Sequence, residues 1–253
     1  MIIDPYRFAA AAQNGSVPSS NLRLHLESDF GLTLVSSGTK VNEWADQSGN
    51  LNKAFQNSSS YQPTYVPSSS LINNLPGIDF SSPANSSMGI ALSPTLNFSS
   101  AGFTLYMVLN IQTYTLYGTF MQHSNDSVWS QGWGIIYYNN NLRFWINNWN
   151  NVANYVELTA PTVGSRILLK FSWDKTTIKA SYRKANVTTA GTKAYAGAYT
   201  HPAYSLSIMT PSGGNTTNDI SSTLGAILMY NGVLSAQDEL DLETYLKSKY
   251  GIA

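Results

Sequence analysis

The sequence contains no cysteine, and this absence limits its chemistry at once. A chain without thiols cannot form disulfide bonds, bind a metal through thiolates or use a cysteine nucleophile. The stability of the fold must therefore come from packing and hydrogen bonds, and any catalysis from other side chains.

Charge is also scarce. Only 11% of the 253 residues are charged, and 14 lysines and arginines balance 14 acidic residues, so the formal net charge is zero. A neutral chain lacks the positive field that attracts phosphate backbones, and we expect no nucleic-acid partner. The opening residues, MIIDPYRFAAAAQNGS, have Asp4 and a proline but no basic start or long apolar run. We therefore expect neither a signal peptide nor a membrane anchor.

What the chain does have is a series of short segments rich in aromatic and β-branched residues, separated by asparagine-containing turns. Seven of them are predicted to be strands: Leu22–Glu27, Phe103–Ile111, Gly118–Ser124, Trp133–Tyr138, Leu142–Ile146, Ser165–Trp173 and Thr176–Arg183. Many short strands with regular turns predict an all-β fold, an antiparallel β-sandwich of the jelly-roll type. No long linker divides the chain, so we predict one domain over residues 21–253, preceded by an N-terminal arm over residues 1–20.

The pentapeptide ELDLE, which runs from Glu239 to Glu243, first suggests a glycosidase. On a strand its three acids would share one face, and a retaining glycosidase needs two carboxyl groups roughly 5–5.5 Å apart. However, Ser235 stands at a capping position, lysines fall in the last predicted turn and Gly251 supplies a stop. These signals predict a short C-terminal helix, whose acids would form a solvated, ion-paired face and not a catalytic pair.

Other catalytic patterns are not apparent either. His25, His123 and His201 are far apart in the sequence, and none has a partner at metal-ligand spacing. There is no Gly-x-Ser-x-Gly elbow and no phosphate-binding glycine loop. We therefore predict that the chain is not an enzyme, although a site assembled from distant segments would escape such a search.

Two parts of the sequence carry a family resemblance. The ending LGAILMYNGVLSAQDELDLETYLKSKYGI, and upstream the runs VNEWADQSGN, QPTY and NNLPGIDF, are similar to motifs of laminin-G-like, concanavalin-A-like jelly-roll modules. The resemblance spans most of residues 21–253 and implies the same sandwich fold. Such modules occur in secreted glycan-binding proteins and, without signal peptides, in tailed-phage virion proteins.

Asp46 is the one acid that we consider as a metal ligand. It follows Trp44 at the start of a Ser48-Gly49-Asn50 turn, where a carboxylate accepts hydrogen bonds from backbone amides. The alternative is a calcium site, but calcium takes six to eight oxygens and only Glu43 is nearby. The structural role is favoured; calcium is a weak alternative, and we expect no other cofactor.

The best candidate for ligand binding is the segment from Tyr137 to Tyr155. Aromatic rings offer flat apolar faces to sugar C–H groups, and asparagine side chains offer donors and acceptors to hydroxyls. We predict a ligand site made by Trp149 and Tyr138 with three asparagines: Asn148, Asn150 and Asn151. The alternative is that Trp149 folds back to cap the edge of the sandwich.

These observations lead to one functional prediction and one alternative. The first is a non-enzymatic virion-surface protein of a tailed phage, a head-decoration, fibre or tail-associated component made in the host cytoplasm. It would form a homo-oligomer, contact host-surface glycans and dock onto other virion proteins through the N-terminal arm, with Tyr6 and Phe8 as apolar anchors. The alternative is a free carbohydrate-binding, lectin-like module.

Overall fold

A computed structural model describes residues 15–35, 38–81, 86–124, 129–209 and 220–253 of the chain. In this part of the chain two antiparallel sheets pack face to face, and one helix near the C-terminus covers one of them. The predicted fold class, an all-β antiparallel sandwich with a short C-terminal helix, is confirmed. No helix among the described residues has the length and apolar character needed to cross a membrane.

The elements follow one another along the described chain in the order β1 (Leu22–Glu27), β2 (Leu32–Leu34), β3 (Val41–Trp44), β4 (Ala54–Phe55), β5 (Thr64–Ser69), β6 (Leu75–Asp79), β7 (Met88–Ile90), β8 (Phe103–Thr113), β9 (Thr119–Ser124), β10 (Gly132–Tyr138), β11 (Asn141–Ile146), β12 (Tyr155–Thr159), β13 (Arg166–Trp173), β14 (Thr177–Lys184), β15 (Val187–Ala194), β16 (Leu206–Ile208), β17 (Ser221–Asn231) and α1 (Ala236–Tyr250).

The strands divide into two sheets. The back sheet has eight strands in the order β15-β14-β13-β8-β17-β6-β5, and β1 also pairs with β17. The front sheet has nine strands in the order β12-β11-β10-β9-β16-β7-β4-β3-β2. Neighbours in space are often distant in sequence, as where β9 pairs with β16, so the sandwich joins segments from the whole described chain.

The core lies between the two sheets. Along β13, alternation places Ile167, Leu169 and Phe171 on the inner face, while Leu168 points to the other side of the back sheet, as the sequence pattern predicts. Trp44, from the upstream motif, is fully buried, and its indole N–H donates to the backbone oxygen of Glu27 at 2.9 Å. The motif tryptophan is therefore part of the core.

Helix α1 forms a third layer on the outer face of the back sheet. The Ser235 hydroxyl accepts a hydrogen bond from the Asp238 amide at 3.1 Å, and Gly251 ends the helix with φ 60°. Its buried residues are Leu242, Leu246 and Tyr250. The sequence signals for the start and the end of this helix are thus both found in the structure.

Two of the three acids of ELDLE are ion-paired, and these two are less solvated than the sequence suggests, while Asp241 accepts from the Gln237 amide. The Glu239 carboxylate lies 2.7 Å from the Lys170 ammonium of β13, and Glu243 lies 3.7 Å from Lys247 within the helix. The Glu243 side chain is 32% exposed and the Glu239 side chain is 27% exposed. Both are less exposed than predicted because this side of the helix partly faces the back sheet.

The described residues before β1 pack on the helix. Gly15 lies so close to the backbone of Asp241 and Tyr245 that a side-chain carbon at this position would overlap with both. Val17 packs against the apolar layer between α1 and the back sheet. Tyr6 and Phe8, the predicted docking anchors, lie outside the described residues.

Candidate functional site

The outer face of the front sheet carries a cluster of aromatic side chains, which we call the aromatic patch. Its members come from β10, β11, β12 and the loops around them: Tyr117, Trp129, Ile136, Tyr138, Trp145, Trp149 and Tyr155. Alternation explains the strand positions, because Phe144 and Ile146 of β11 point into the core while Trp145 points outward. Together with the apolar layer under α1, this gives the sandwich a second apolar cluster on an outer face. Such a cluster is unusual and needs a physical explanation.

Arg143 lies at the centre of the patch. Its Nε and Nη2 donate to Glu157 Oε1 at 3.0 and 2.6 Å, and its Nη1 donates to the backbone oxygen of Trp149 at 2.9 Å. The guanidinium carbon lies 3.9 Å from the ring centroid of Tyr155, 4.8 Å from that of Tyr138 and 5.4 Å from that of Trp149. The cation is thus held by one carboxylate and three rings, and it organises the patch.

Trp149 is half-buried in the patch. Its ring makes nearly perpendicular contacts with Trp129, Tyr117 and Tyr138 at centroid distances of 5.3, 5.5 and 5.6 Å. It therefore packs onto the sheet, as the alternative from the sequence proposes, and still leaves part of its surface open. Its predicted role as a ligand platform stays a prediction.

The asparagines around Trp149 shape the loop between β11 and β12. The side-chain oxygen of Asn148 accepts from the Asn150 amide at 3.1 Å, and that of Asn151 accepts from the Ala153 amide at 3.0 Å. Asn150 is exposed. The amide groups of these residues remain at the surface beside Trp149, where they are placed to contact a ligand.

Several buried polar groups at the patch have no hydrogen-bond partner among the residues that the structure describes. They are both side-chain amide atoms of Gln122 and the indole nitrogens of Trp129 and Trp145. Strand pairing places Trp145 opposite Gly134, and Gly134 opposite Gln122, so two of these groups lie in one row across the front sheet. Buried polar groups are nearly always satisfied, and a buried water is the partner that suits these enclosed donors and acceptors.

Asp46 takes the local role that the sequence favours. Its Oδ1 accepts from the amides of His25 and Ser48, both at 2.9 Å. Its Oδ2 accepts from the Ser48 hydroxyl at 2.8 Å and the Asn52 amide at 2.9 Å. Each carboxylate oxygen thus has two donors, three of the four from residues 48–52 and one from His25 of β1, which leaves little room for a metal ion. Within the described ranges, no three side chains of His, Asp or Glu come together as metal ligands.

The structure brings together two histidines that are distant in the sequence. The rings of His123 and His201 meet at a centroid distance of 4.9 Å, and Nε2 of His123 lies 2.9 Å from the backbone oxygen of Tyr204. Burial, together with the neighbouring His201, lowers the pKa of His123 to about 4. Both rings are therefore neutral at pH 7, and they pack at one end of the sandwich.

Comparisons with known proteins agree with this fold. No protein-family profile matches the sequence, and no curated protein matches it. Three solved structures superpose well.

The first is the binding domain of Paraclostridial Mosquitocidal Protein 1, with a TM-score of 0.59 and 13% identity over 88% of this chain and 52% of that chain. The second is the Trypanosoma rangeli sialidase in complex with 2,3-difluorosialic acid, with a TM-score of 0.62 and 15% identity over 92% of this chain and 34% of that chain. The third is an arabinofuranosidase in complex with arabinofuranosyl-α-1,2-xylobiose, with a TM-score of 0.59 and 12% identity over 95% of this chain and 62% of that chain.

The prediction that the chain is not an enzyme is contradicted by these comparisons. Glycosidases, a sialidase and an arabinofuranosidase, are among the structural neighbours. The sequence argument was wrong because a sandwich brings side chains from distant strands to one face, which a search for local motifs does not detect. The chain spans between 34% and 62% of the lengths of the three proteins above, and at 12–15% identity the likeness is one of fold. The chain therefore has a β-sandwich fold that also occurs in glycosidases and in the binding domain of a mosquitocidal protein.

Proposed function

We propose that this chain binds carbohydrate on the outer face of the front sheet. One observation carries the proposal: the aromatic patch lies on an outer face, where Trp149 and Tyr138 are only partly buried and exposed asparagines stand beside Trp149. A sugar presents apolar C–H faces and a rim of hydroxyls. The rings of Trp149 and Tyr138 suit the former, and the amide groups of Asn148 and Asn150 suit the latter.

The surroundings of the patch support the same class of ligand. Exposed asparagines flank Trp149. An asparagine amide donates through its nitrogen and accepts through its oxygen, and a sugar hydroxyl can take part in both kinds of hydrogen bond. Two of the structural neighbours are complexes with a sugar or a sugar analogue, 2,3-difluorosialic acid and arabinofuranosyl-α-1,2-xylobiose. These neighbours support carbohydrate as the ligand class, and they leave both binding alone and binding with hydrolysis as outcomes for experiment.

The first prediction concerns Trp149. Replacing it with alanine (Trp149→Ala) is expected to weaken glycan binding about fivefold to a hundredfold, because a stacked aromatic ring in a binding site contributes roughly 1–3 kcal/mol. A glycan array followed by calorimetry on the strongest ligand measures the change. Phe30→Ala is the matched control, since Phe30 is an aromatic residue, 62% exposed, at the opposite edge of the front sheet.

Two results would overturn the proposal: a wild-type chain that binds no glycan, or a Trp149→Ala variant with unchanged affinity while its circular dichroism is native. The bound glycans are also incubated with the protein and tested for new reducing ends. Their appearance would make the chain a glycosidase that uses the same face.

Placement of the chain in a phage virion is a separate proposal, which rests only on the sequence resemblance to laminin-G-like modules. The structural neighbours above do not support a phage origin. Three further proposals also rest on the sequence alone: docking through Tyr6 and Phe8, self-association, and a location at the virion surface.

A further inference from the structure

The front sheet is almost free of cations. Among its nine strands, which are all within the described residues, Arg143 is the only lysine or arginine. Any positive charge that a ligand meets on the strands of this face must therefore come from Arg143. The availability of that one guanidinium decides which classes of glycan the patch can accept.

The Arg143 guanidinium is already engaged in contacts within the protein. Glu157 accepts two of its N–H groups and the Trp149 carbonyl accepts a third, while the Tyr155 ring covers the guanidinium at 3.9 Å. Only 6% of the Arg143 side chain is exposed, whereas 32% of the Glu157 side chain is. An approaching ligand would thus meet the carboxylate of this pair before the cation.

From this arrangement we infer that the patch selects neutral glycans and discriminates against sugars that carry a carboxylate or a sulfate. The inference rests on the proposed function, because it names the substrate class of the same site. An anionic sugar must give up strong hydration on binding, and it recovers this loss only from a cation with free N–H donors. Here three of the five N–H groups of the cation are already used and its side chain is buried beneath the rings, so a ligand cannot reach it freely. The more exposed Glu157 carboxylate repels an anionic ligand.

The same pair provides a sharp test, because removing the charge of Glu157 would release the charge of Arg143 without changing the shape of the patch. Glu157→Gln keeps an oxygen that can accept from Arg143, so the guanidinium stays in place, but the site then carries one net positive charge. An anion about 6 Å away would gain severalfold to a hundredfold in affinity, depending on the local dielectric.

The experiment compares matched pairs of oligosaccharides that differ only in one terminal sialic acid or one sulfate. We expect the wild-type chain to bind the neutral member of each pair at least about fivefold more tightly. In Glu157→Gln the ratio of acidic to neutral affinity should rise about tenfold, and this gain should shrink in 0.5 M salt, because salt screens exposed charges.

Glu43→Gln is the control. It also releases a cation, since Glu43 lies 2.6 Å from Lys53, and it lies on the same sheet six strands from β11. At about 4.8 Å per strand that separation is roughly 29 Å, beyond the range of screened charges, so the ratio should stay at the wild-type value.

The outcomes separate this inference from the proposed function. If the wild type binds no glycan of either kind, the proposed function fails. If it binds glycans but prefers the acidic members, or if Glu157→Gln leaves the ratio unchanged, the site exists and the inference of neutral selectivity is wrong.

Discussion

Replacing Arg143 with methionine (Arg143→Met) is expected to destabilise the chain by about 3 kcal/mol and to abolish glycan binding. The variant keeps an apolar side chain of similar length but loses contacts with three rings, each about 0.5–1 kcal/mol, and the hydrogen bond to the Trp149 carbonyl, about 1 kcal/mol. Without these contacts the loop that carries Trp149 has no fixed position. Thermal unfolding should begin roughly 6–12 °C earlier than in the wild type.

Arg183→Met is the matched control for this variant. Arg183 lies on β14 of the back sheet, and its Nε donates to the backbone oxygen of Ala253 at the surface. Its loss is expected to cost under about 1 kcal/mol, as surface contacts do, and to leave glycan binding unchanged. A stable Arg143→Met variant with native affinity would mean that the cation does not organise the patch.

The second large effect concerns Glu27, which joins β1 to helix α1. Its side chain is 6% exposed, and it accepts from the Tyr245 hydroxyl at 3.0 Å and from the Lys249 ammonium at 2.8 Å. Burial alone would raise the pKa of Glu27, but hydrogen bonds from His25 and Lys249 outweigh burial and lower this pKa from 4.5 to about 2. The folded state thus holds the proton less tightly than the unfolded state does.

The free energy of unfolding should therefore depend on pH. A pKa that folding lowers contributes stability above the unfolded value, here 4.5, and that stability disappears as the pH falls towards 2. A shift from 4.5 to about 2 corresponds to about 3 kcal/mol. Glu27→Gln should therefore be less stable than the wild type by about 3 kcal/mol at pH 7, and the difference should vanish near pH 2.

Urea unfolding at a series of pH values measures this difference, and Glu239→Gln is its control. Glu239 also joins α1 to the back sheet, through Lys170, but its carboxylate is 27% exposed, so its loss is expected to cost under about 1 kcal/mol. If the free energy of unfolding had the same pH dependence in the wild type and in Glu27→Gln, Glu27 would not be the anchor of the helix.

Much of the fold can be predicted from the sequence because its central strands and its helix are locally encoded. The alternation in β13 and the caps of α1, Ser235 and Gly251, are signals within one segment. Strand β15, by contrast, has the sequence VTTAGTKA and an exposed pattern throughout. It pairs with β14 at the edge of the back sheet, and Gly191 lies against Val156 and Leu158 of β12, so only the assembled sandwich reveals it.

The site could be predicted only in part. Trp149 and Tyr138 are conspicuous in the sequence, and the structure places both in the aromatic patch. Arg143 could have been noted, because it shares a strand face with Trp145, but its ring partners come from other strands and loops. Gln122 and Trp129 were missed for the same reason, since strand pairing and loop closure bring them to the patch.

The most direct test of the central claim is a crystal structure of the chain with its strongest oligosaccharide ligand. The account predicts a sugar ring in van der Waals contact with Trp149 and Tyr138, with a hydroxyl hydrogen-bonded to the side-chain amide of Asn148 or Asn150. A ligand that leaves the aromatic patch empty and lies in the surface cavity between Tyr114, Tyr137 and Thr162 would contradict it.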